Sequence, residues 1–368
     1  MFPVILGTAA LMGGSVFLIR KRLSGPSLKK YDAPPPLFRD PDPASPGIAK
    51  VNDYLVENFI KPAQAERTRL GSMNGWEGKR ERFDEAGLAR TDLKADYRDD
   101  WIEVEGRKIH GRWTLVDGCD PDRRILYYHG GAFTVGSDIS HRPLTVNLAK
   151  RTGCAVFAPN YRLMPENSRR DAISDSRAAY HWILDNGPDG PAPVKALGVA
   201  GDSAGGNLTL MISNYARDNA LREPDAIFAL SPSTDTTAAS PTFKDNLETD
   251  LMLQPLLRPL LKIPRTLLLL ALKKSIQMNP SDTDVSPVFA DLSDLPPTLV
   301  QASSTEMLYG DAVRYVNKAL AAGSPVTLQA WSHTPHVFQI FDDVLPEARE
   351  ALDHAADFFK AHGVAKPK

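Results

Sequence analysis

Short apolar runs alternate with amphipathic stretches over most of this chain. Runs of four to eight residues, rich in β-branched and aromatic side chains, predict strands at 101–105, 109–116, 125–128, 154–159, 196–200, 226–230, 298–302 and 326–331. Apolar positions three and four residues apart predict helices near 141–152, 171–186, 204–219, 309–322 and 346–361. The first two strands predict an antiparallel pair, and most of the others alternate with helices. This alternation predicts an α/β protein with a mostly parallel sheet that is covered on both faces.

The first 22 residues differ from the rest of the chain. Phe2 to Ile19 carries no charged side chain, and the three basic residues Arg20 to Arg22 follow at once. Eighteen helical residues span about 27 Å, close to the roughly 30 Å of a bilayer core. Positive charges after the apolar run predict an uncleaved membrane anchor, with the bulk of the chain in the cytoplasm. A cleaved signal and a segment that only lies on the membrane surface are the alternatives.

The remaining chain divides into three predicted parts. Residues 23–47 are rich in proline, lack an apolar period and predict a linker. Residues 48–97 predict a helical N-terminal part of a cap. Residues 98–368 predict the main α/β domain, with a cap insertion at about 233–281. The leucine-rich stretch 251–275 of this insertion carries five basic side chains. It predicts either an amphipathic lid at a membrane or acyl chain, or a helix packed on its own domain.

Composition excludes several classes of function. Lys and Arg number 43 against 45 Asp and Glu, which argues against nucleic acid as a partner. The two cysteines, Cys119 and Cys154, are too few for a disulfide scaffold or a cysteine-rich zinc site. The oligomeric state stays open.

The first of three motifs is G-D-S-A-G at 201–205, which follows the strand 196–200 and opens a helix. Such a strand–turn–helix presents its serine on a sharp bend, and the helix N-terminus favours negative charge nearby. Ser203 is therefore the predicted nucleophile, and Asp202 is a supporting residue of the motif.

The second motif is H-G-G-A-F at 129–133, directly after the strand 125–128. Two consecutive glycines leave backbone N–H groups free to face a ligand. The N–H groups of Gly130, Gly131 and Ala204 are predicted to form the oxyanion hole that acyl transfer requires. His129 is predicted to brace this loop rather than to act as a base.

The third motif follows the last strand, where either His333 or His336 could accept the proton of Ser203. Spacing alone does not choose between them. An acid must orient the chosen imidazole, and the chain order of this motif places it after the strand 298–302. Glu306 at the strand's end is favoured over Asp311, which lies inside the next helix. Structural or surface roles are predicted for His110, His141, His181, His354 and His362.

Together these motifs resemble the hormone-sensitive-lipase-like, HGG-motif family of the α/β-hydrolase superfamily. Further similarity lies in Y-R-L-M-P-E at 161–166, in D-A-I-S-D at 171–175, in the stretch 286–298 and in H-V-F at 336–338. The last match selects His336 over His333. The resemblance implies an α/β-hydrolase fold with a helical cap and no metal or organic cofactor. Two positions depart from the family pattern: Ala132 replaces a third glycine, and Glu306 replaces the usual aspartate.

The resemblance further implies a carboxylesterase or lipase that works through an acyl-enzyme, with the triad Ser203, Glu306 and His336. The apolar N-terminal segment and the leucine-rich cap indicate an ester substrate with an apolar acyl chain. Hydrolysis of an amide, a lactone or a thioester by the same triad is the alternative. A non-catalytic small-molecule receptor is a further one.

Overall fold

The computed structural model describes residues 18–33, 38–39, 44–62, 64 and 76–366. Its main strands are β1 (Phe38–Arg39), β2 (Asp96–Val104), β3 (Arg107–Leu115), β4 (Asp120–Tyr128), β5 (Cys154–Pro159), β6 (Ala196–Asp202), β7 (Ala226–Leu230), β8 (Thr298–Ser303) and β9 (Val326–Trp331). In these residues they form a nine-stranded sheet in the order β1-β9-β8-β7-β6-β4-β5-β3-β2. The pairs β2–β3 and β3–β5 are antiparallel, and all other neighbours are parallel. The predicted mostly parallel sheet is confirmed.

Helices cover both faces of this sheet. They are α1 (Gly47–Leu55), α2 (Trp76–Leu88), α3 (Arg142–Thr152), α4 (Arg169–Asp185), α5 (Ala204–Asp218), α6 (Thr242–Asp245), α7 (Gln254–Leu257), α8 (Arg265–Ile276), α9 (Tyr309–Ala321) and α10 (Pro346–Ala361). Successive residues of β4 alternate between the two cores, because side chains of a strand point to opposite faces. Leu126 and Tyr128 belong to the core that includes residues of α4, α5 and α9. Ile125 and Tyr127 belong to the core that includes residues of α3 and α10.

Part of the predicted linker packs on the catalytic body instead of standing apart. Leu23 and Leu28 are buried, and the Arg314 guanidinium donates to the Asp32 carboxylate at 2.6 Å. The short strand β1 adds to the edge of the sheet beside β9. Isolated leucines among polar residues form no period, so the sequence pattern did not indicate these contacts. The boundaries of the four predicted parts stay predictions.

The predicted anchor at 1–22 falls mostly on residues 1–17, which lie outside the described residues. Residues 18–24 are helical. Across the described ranges, no helix combines the length and the apolar character needed to cross a bilayer.

Helix α2 braces the loop that follows β4. Its Arg80 donates to the carbonyl oxygens of Thr134 at 2.9 Å and Met164 at 3.0 Å. Near the end of the helix, a Cβ built on Gly87 would lie only 2.1 Å from the carbonyl oxygen of Ile139. The helix and the loop are therefore in direct backbone contact at Gly87.

Replacing Gly87 by Ala is expected to lower the free energy of unfolding by about 1–3 kcal/mol, because the new methyl group meets backbone that cannot rotate away. Gly78→Ala, on the same helix, is the matched control. Its Cβ would meet only the end of the Arg82 side chain at 3.9 Å. That change should stabilise by about 0.5–1 kcal/mol, since alanine favours the helix. Denaturant unfolding of both variants measures the difference, and equal effects would contradict the tight α2–loop contact.

Candidate active site

Ser203 lies on the bend between β6 and α5, in a strained backbone conformation. Its φ is +53° and its ψ is −113°, a region that side-chain-bearing residues rarely adopt. Its N–H donates to the carbonyl oxygen of Leu230 at 2.8 Å, which holds the bend against β7. The bend requires glycine two residues later, because a Cβ at Gly205 would lie 1.9 Å from the Tyr128 carbonyl oxygen. Ser203 is thereby fixed at the carboxyl edge of the sheet.

Glu306 and His336 meet at this same edge, and both are buried. The His336 Nδ1 lies 3.1 Å from the Glu306 Oε2. The Ser231 hydroxyl donates to the same carboxylate oxygen at 2.7 Å and accepts the Val337 N–H at 3.2 Å. Ser231 directly follows Leu230, whose carbonyl oxygen accepts the Ser203 N–H. The end of β7 therefore links the bend at Ser203, here called the elbow, to the Glu306–His336 pair.

Burial and charge act against each other in this pair. Burial lowers the pKa of His336, but the charge and hydrogen bond of Glu306 outweigh it and raise that pKa above its usual value. Burial also raises the pKa of Glu306, although His336 and Ser231 partly oppose this. The imidazole thus depends on Glu306 both for its orientation and for the stability of its charged form.

The loop after β4 presents unpaired backbone donors. Gly131, Ala132 and Phe133 all have positive φ, at 108°, 52° and 60°. Among the described residues, the N–H groups of Gly131, Ala132 and Ala204 have no hydrogen-bond acceptor. The Met164 N–H donates to the Phe133 carbonyl oxygen at 2.8 Å and holds the loop in this shape.

Gly130 requires a correction. Its N–H donates to the Asp202 Oδ1 at 3.0 Å inside the protein, so it is not available to an oxyanion. The sequence shows two glycines but not which N–H the folded loop uses internally. The free donors on this side of the site belong to Gly131 and Ala132.

Asp202 ties the loop to the elbow through a buried network. Its Oδ1 also accepts the Tyr127 hydroxyl at 2.6 Å, and its Oδ2 lies 3.4 Å from the His141 Nε2. Burial would raise the pKa of Asp202, but His141 and the hydrogen bonds keep it below the usual value. Burial lowers the pKa of His141, and Asp202 outweighs this and raises it. The two side chains therefore form a buried carboxylate–imidazole contact beneath the loop.

His129 lies within the same packing. Its ring stacks on Tyr161, with centroids 4.3 Å apart and planes 12° apart. Burial, followed by the charge of His141, lowers the pKa of His129 to about 3. The ring is neutral at neutral pH, and its Nδ1 lies 2.8 Å from the Gly130 carbonyl oxygen.

A buried arginine beside the loop was not predicted. The Arg169 guanidinium lies 3.4 Å from the centroid of the Phe133 ring, and its Nη2 donates to the Asn207 Oδ1 at 2.9 Å. The Asn207 N–H in turn donates to the Ser203 carbonyl oxygen at 3.0 Å. Burial lowers the pKa of Arg169 to about 9. Arg169 thus joins the loop to the first turn of α5.

Sequence reasoning missed Ser231, His141 and Arg169. Ser231 follows β7 directly, so the strand-end rule that identified the other residues could have found it. His141 was assigned a structural or surface role, and no spacing relates it to Asp202. Arg169 sits among charged and polar neighbours that predict solvent exposure, and nothing in the pattern signals its burial. His333 and Asp311 are not part of the Glu306–His336 contact.

A parallel sheet with a serine elbow at its carboxyl edge defines the α/β hydrolases. The chain belongs to the α/β-hydrolase fold family, whose sequence model matches residues 125–340. It is 33% identical over 238 residues to an acetyl-hydrolase of Streptomyces hygroscopicus, covering 65% of this chain and 75% of that protein. It is 34% identical over 240 residues to an esterase of Acinetobacter venetianus, covering 64% and 73%.

A solved esterase of the bacterial hormone-sensitive lipase family is also similar in structure. It superposes with a TM-score of 0.70 at 28% identity, over 87% of this chain and 99% of that one. The resemblance stated from the motifs is confirmed.

Replacing Glu306 by Gln is expected to lower the pKa of His336. The neutral amide no longer offsets burial, which disfavours the charged imidazole. NMR titration of protein with labelled histidine side chains measures the change, and His336→Asn identifies the resonance. Glu350→Gln, an exposed change elsewhere, is the control. An unchanged or higher pKa in Glu306→Gln would contradict the pairing.

Proposed function

We propose that this protein is a serine hydrolase of carboxylic esters with apolar acyl chains, and that it acts through an acyl-enzyme intermediate. The observation that carries the proposal is the buried Glu306–His336 pair, joined through the end of β7 to the strained Ser203 elbow. The esterases and the acetyl-hydrolase among its relatives support ester hydrolysis as the reaction.

In this mechanism His336 Nε2 accepts the Ser203 proton as the hydroxyl attacks the ester carbonyl carbon. The carbonyl oxygen gains negative charge and is held by the N–H groups of Gly131, Ala132 and Ala204. Glu306 holds the other ring nitrogen and stabilises the imidazolium that forms. His336 then protonates the departing alcohol. It next takes a proton from the water that attacks the acyl-enzyme, and it returns this proton to the Ser203 oxygen as the acid is released.

The same groups could cleave an amide, a lactone or a thioester, because each of these carbonyls passes through a tetrahedral oxyanion. The ester proposal is favoured by the relatives that are named esterases. A non-catalytic receptor would leave the paired Glu306 and His336 without use. The proposed mechanism requires no metal or organic cofactor, and its partner is the small ester itself.

We also propose that residues 1–22 tether the protein to a membrane, with the catalytic domain on the cytoplasmic side. The support is the uncharged run Phe2–Ile19 and the basic residues that follow it. Fractionation of cells that express the chain with and without residues 1–22 tests this placement.

Replacing Ser203 by Ala is expected to abolish release of p-nitrophenol from p-nitrophenyl esters, with a loss of about 10⁶-fold. The hydroxyl is the only atom that forms the acyl bond. Ser174→Ala, a serine on the α4 surface, is the matched control and should keep full activity. A series from acetate to palmitate gives the preferred acyl length. Anilides of the same acyl groups test amide hydrolysis, and activity on anilides alone would contradict the ester proposal.

Replacing Arg169 by Met is expected to lower kcat about tenfold, equivalent to about 1.4 kcal/mol, with KM nearly unchanged. The guanidinium positions the loop donors, which matter most in the transition state. Thermal stability should hold or rise, since the change removes a buried charge that forms no ion pair with a carboxylate among the described residues. Arg170→Met, at the exposed neighbouring position, is the control. A parallel loss of stability and activity would show that Arg169 acts only in folding.

A further inference from the structure

Exposed apolar side chains concentrate in two segments of the described chain, residues 18–30 and 256–274. Five of its nine most exposed large hydrophobic residues lie there: Leu18, Ile19, Leu256, Leu267 and Leu270. Leu18 is 66% exposed and Leu267 is 57% exposed. Scattered exposed leucines are ordinary on a protein surface, but clustering marks an interaction site.

The same two regions also carry an excess of positive charge. Residues 18–31 contain five basic and no acidic residues, and residues 251–281 likewise contain five basic and no acidic residues. The whole chain carries a formal net charge of −2, so this is a local asymmetry. Arg258 is paired with Glu248 at 2.6 Å. The Lys273 and Lys274 side chains lie in the last turn of α8, where both residues are exposed.

The two segments are neighbours in the fold. The amide of Asn279, three residues after α8, donates to the Arg22 carbonyl oxygen at 3.2 Å. Ser281 donates to the same oxygen at 3.3 Å. At the start of α8, burial lowers the pKa of Arg265; Asp235 opposes this, and the positive charge of Arg20 adds to it. We call residues 18–30 and 256–274 together the cationic face.

We propose that the cationic face docks on an anionic lipid bilayer and holds the cap against it. Leucines beside lysines and arginines fit the boundary between acyl chains and acidic headgroups. The uncharged run Phe2–Ile19 ends on this face at Leu18 and Ile19, which places the face beside any bilayer that receives this run. The cationic face shares residues 18–22 with the proposed anchor but extends beyond it, since residues 23–30 and 256–274 are folded parts of the protein.

Docking there would set the site close to lipid. On the inner side of the cap, Leu253, Leu257 and Leu261 pack against Met307 and Leu308, directly after Glu306. The segment that would meet the bilayer is therefore continuous with the packing around the proposed catalytic acid. Apolar esters could then pass from the bilayer to the site without crossing water.

The test uses the full chain in vesicles of phosphatidylcholine with and without phosphatidylglycerol, with brominated phospholipid as a short-range quencher of tryptophan fluorescence. Leu267→Trp is expected to gain quenching in anionic vesicles. Leu320→Trp, at an exposed leucine on α9, is the matched control and should gain none. Because quenching reports contact rather than attachment, the anchor does not mask the result. Equal quenching of both tryptophans would overturn the proposal.

The charge contribution is tested in the Leu267→Trp protein. Adding Lys273→Gln and Lys274→Gln should lower the ratio of docked to undocked protein about 30-fold, since each basic residue contributes about 1 kcal/mol. Lys108→Gln, an exposed lysine on β3, is the control. Hydrolysis of a water-soluble ester should stay unchanged, which separates this result from a failure of the proposed function. Concentration-dependent dimerisation that the lysine changes abolish, without any quenching, would assign the face to self-association and overturn the proposal.

Discussion

The close approach of β4, β6 and α5 at the serine bend is the constraint on which the site depends. At Gly205 the helix backbone meets the Tyr128 carbonyl oxygen so closely that a Cβ would lie 1.9 Å away. This contact forces Ser203 into its left-handed conformation and leaves the Ala204 N–H at the open end of α5. It also places Asp202 under the neighbouring loop. The positions of the proposed nucleophile, of one proposed oxyanion donor and of the residue that anchors the loop therefore follow from one backbone contact.

Buried charges then set the positions of the other groups. Asp202 and His141 form one buried carboxylate–imidazole contact beneath the loop, and Glu306 and His336 form another at the end of β8. A buried pair contributes little net stability, because desolvation offsets attraction, yet removing one partner leaves a costly unpaired charge. These pairs consequently fix geometry more than they stabilise the fold. The Ser231 hydroxyl donates to Glu306 and the Tyr127 hydroxyl donates to Asp202, and these hydrogen bonds restrict the rotation of the two carboxylates.

The sequence pattern predicted the sheet, its helices and the strand ends, because burial on both faces imposes regular apolar runs on the central strands. The Glu306–His336 contact could be anticipated for the same reason, since parallel strand ends meet at one edge. The sequence pattern could not predict the features that depend on which N–H group or side chain points into the protein. Gly130 and Gly131 look alike in sequence, but only Gly130 donates to Asp202. Arg169 and Arg170 are equally polar, and only the fold buries the first and exposes the second.

Arg169 also connects the loop after β4 to the bend at Ser203. Its stack on Phe133 and its hydrogen bond to Asn207 connect the two sides from which the oxyanion donors come. A donor pair improves catalysis only if its spacing is set before charge develops, because reorganisation during the reaction costs energy. Arg80 reinforces the same loop from α2, outside the sheet. The proposed oxyanion hole is thus held from three directions, by α2, α4 and α5. Of these three helices only α2 lies in the predicted N-terminal cap part, so the proposed contact with lipid would leave α4 and α5 in place to hold the donors.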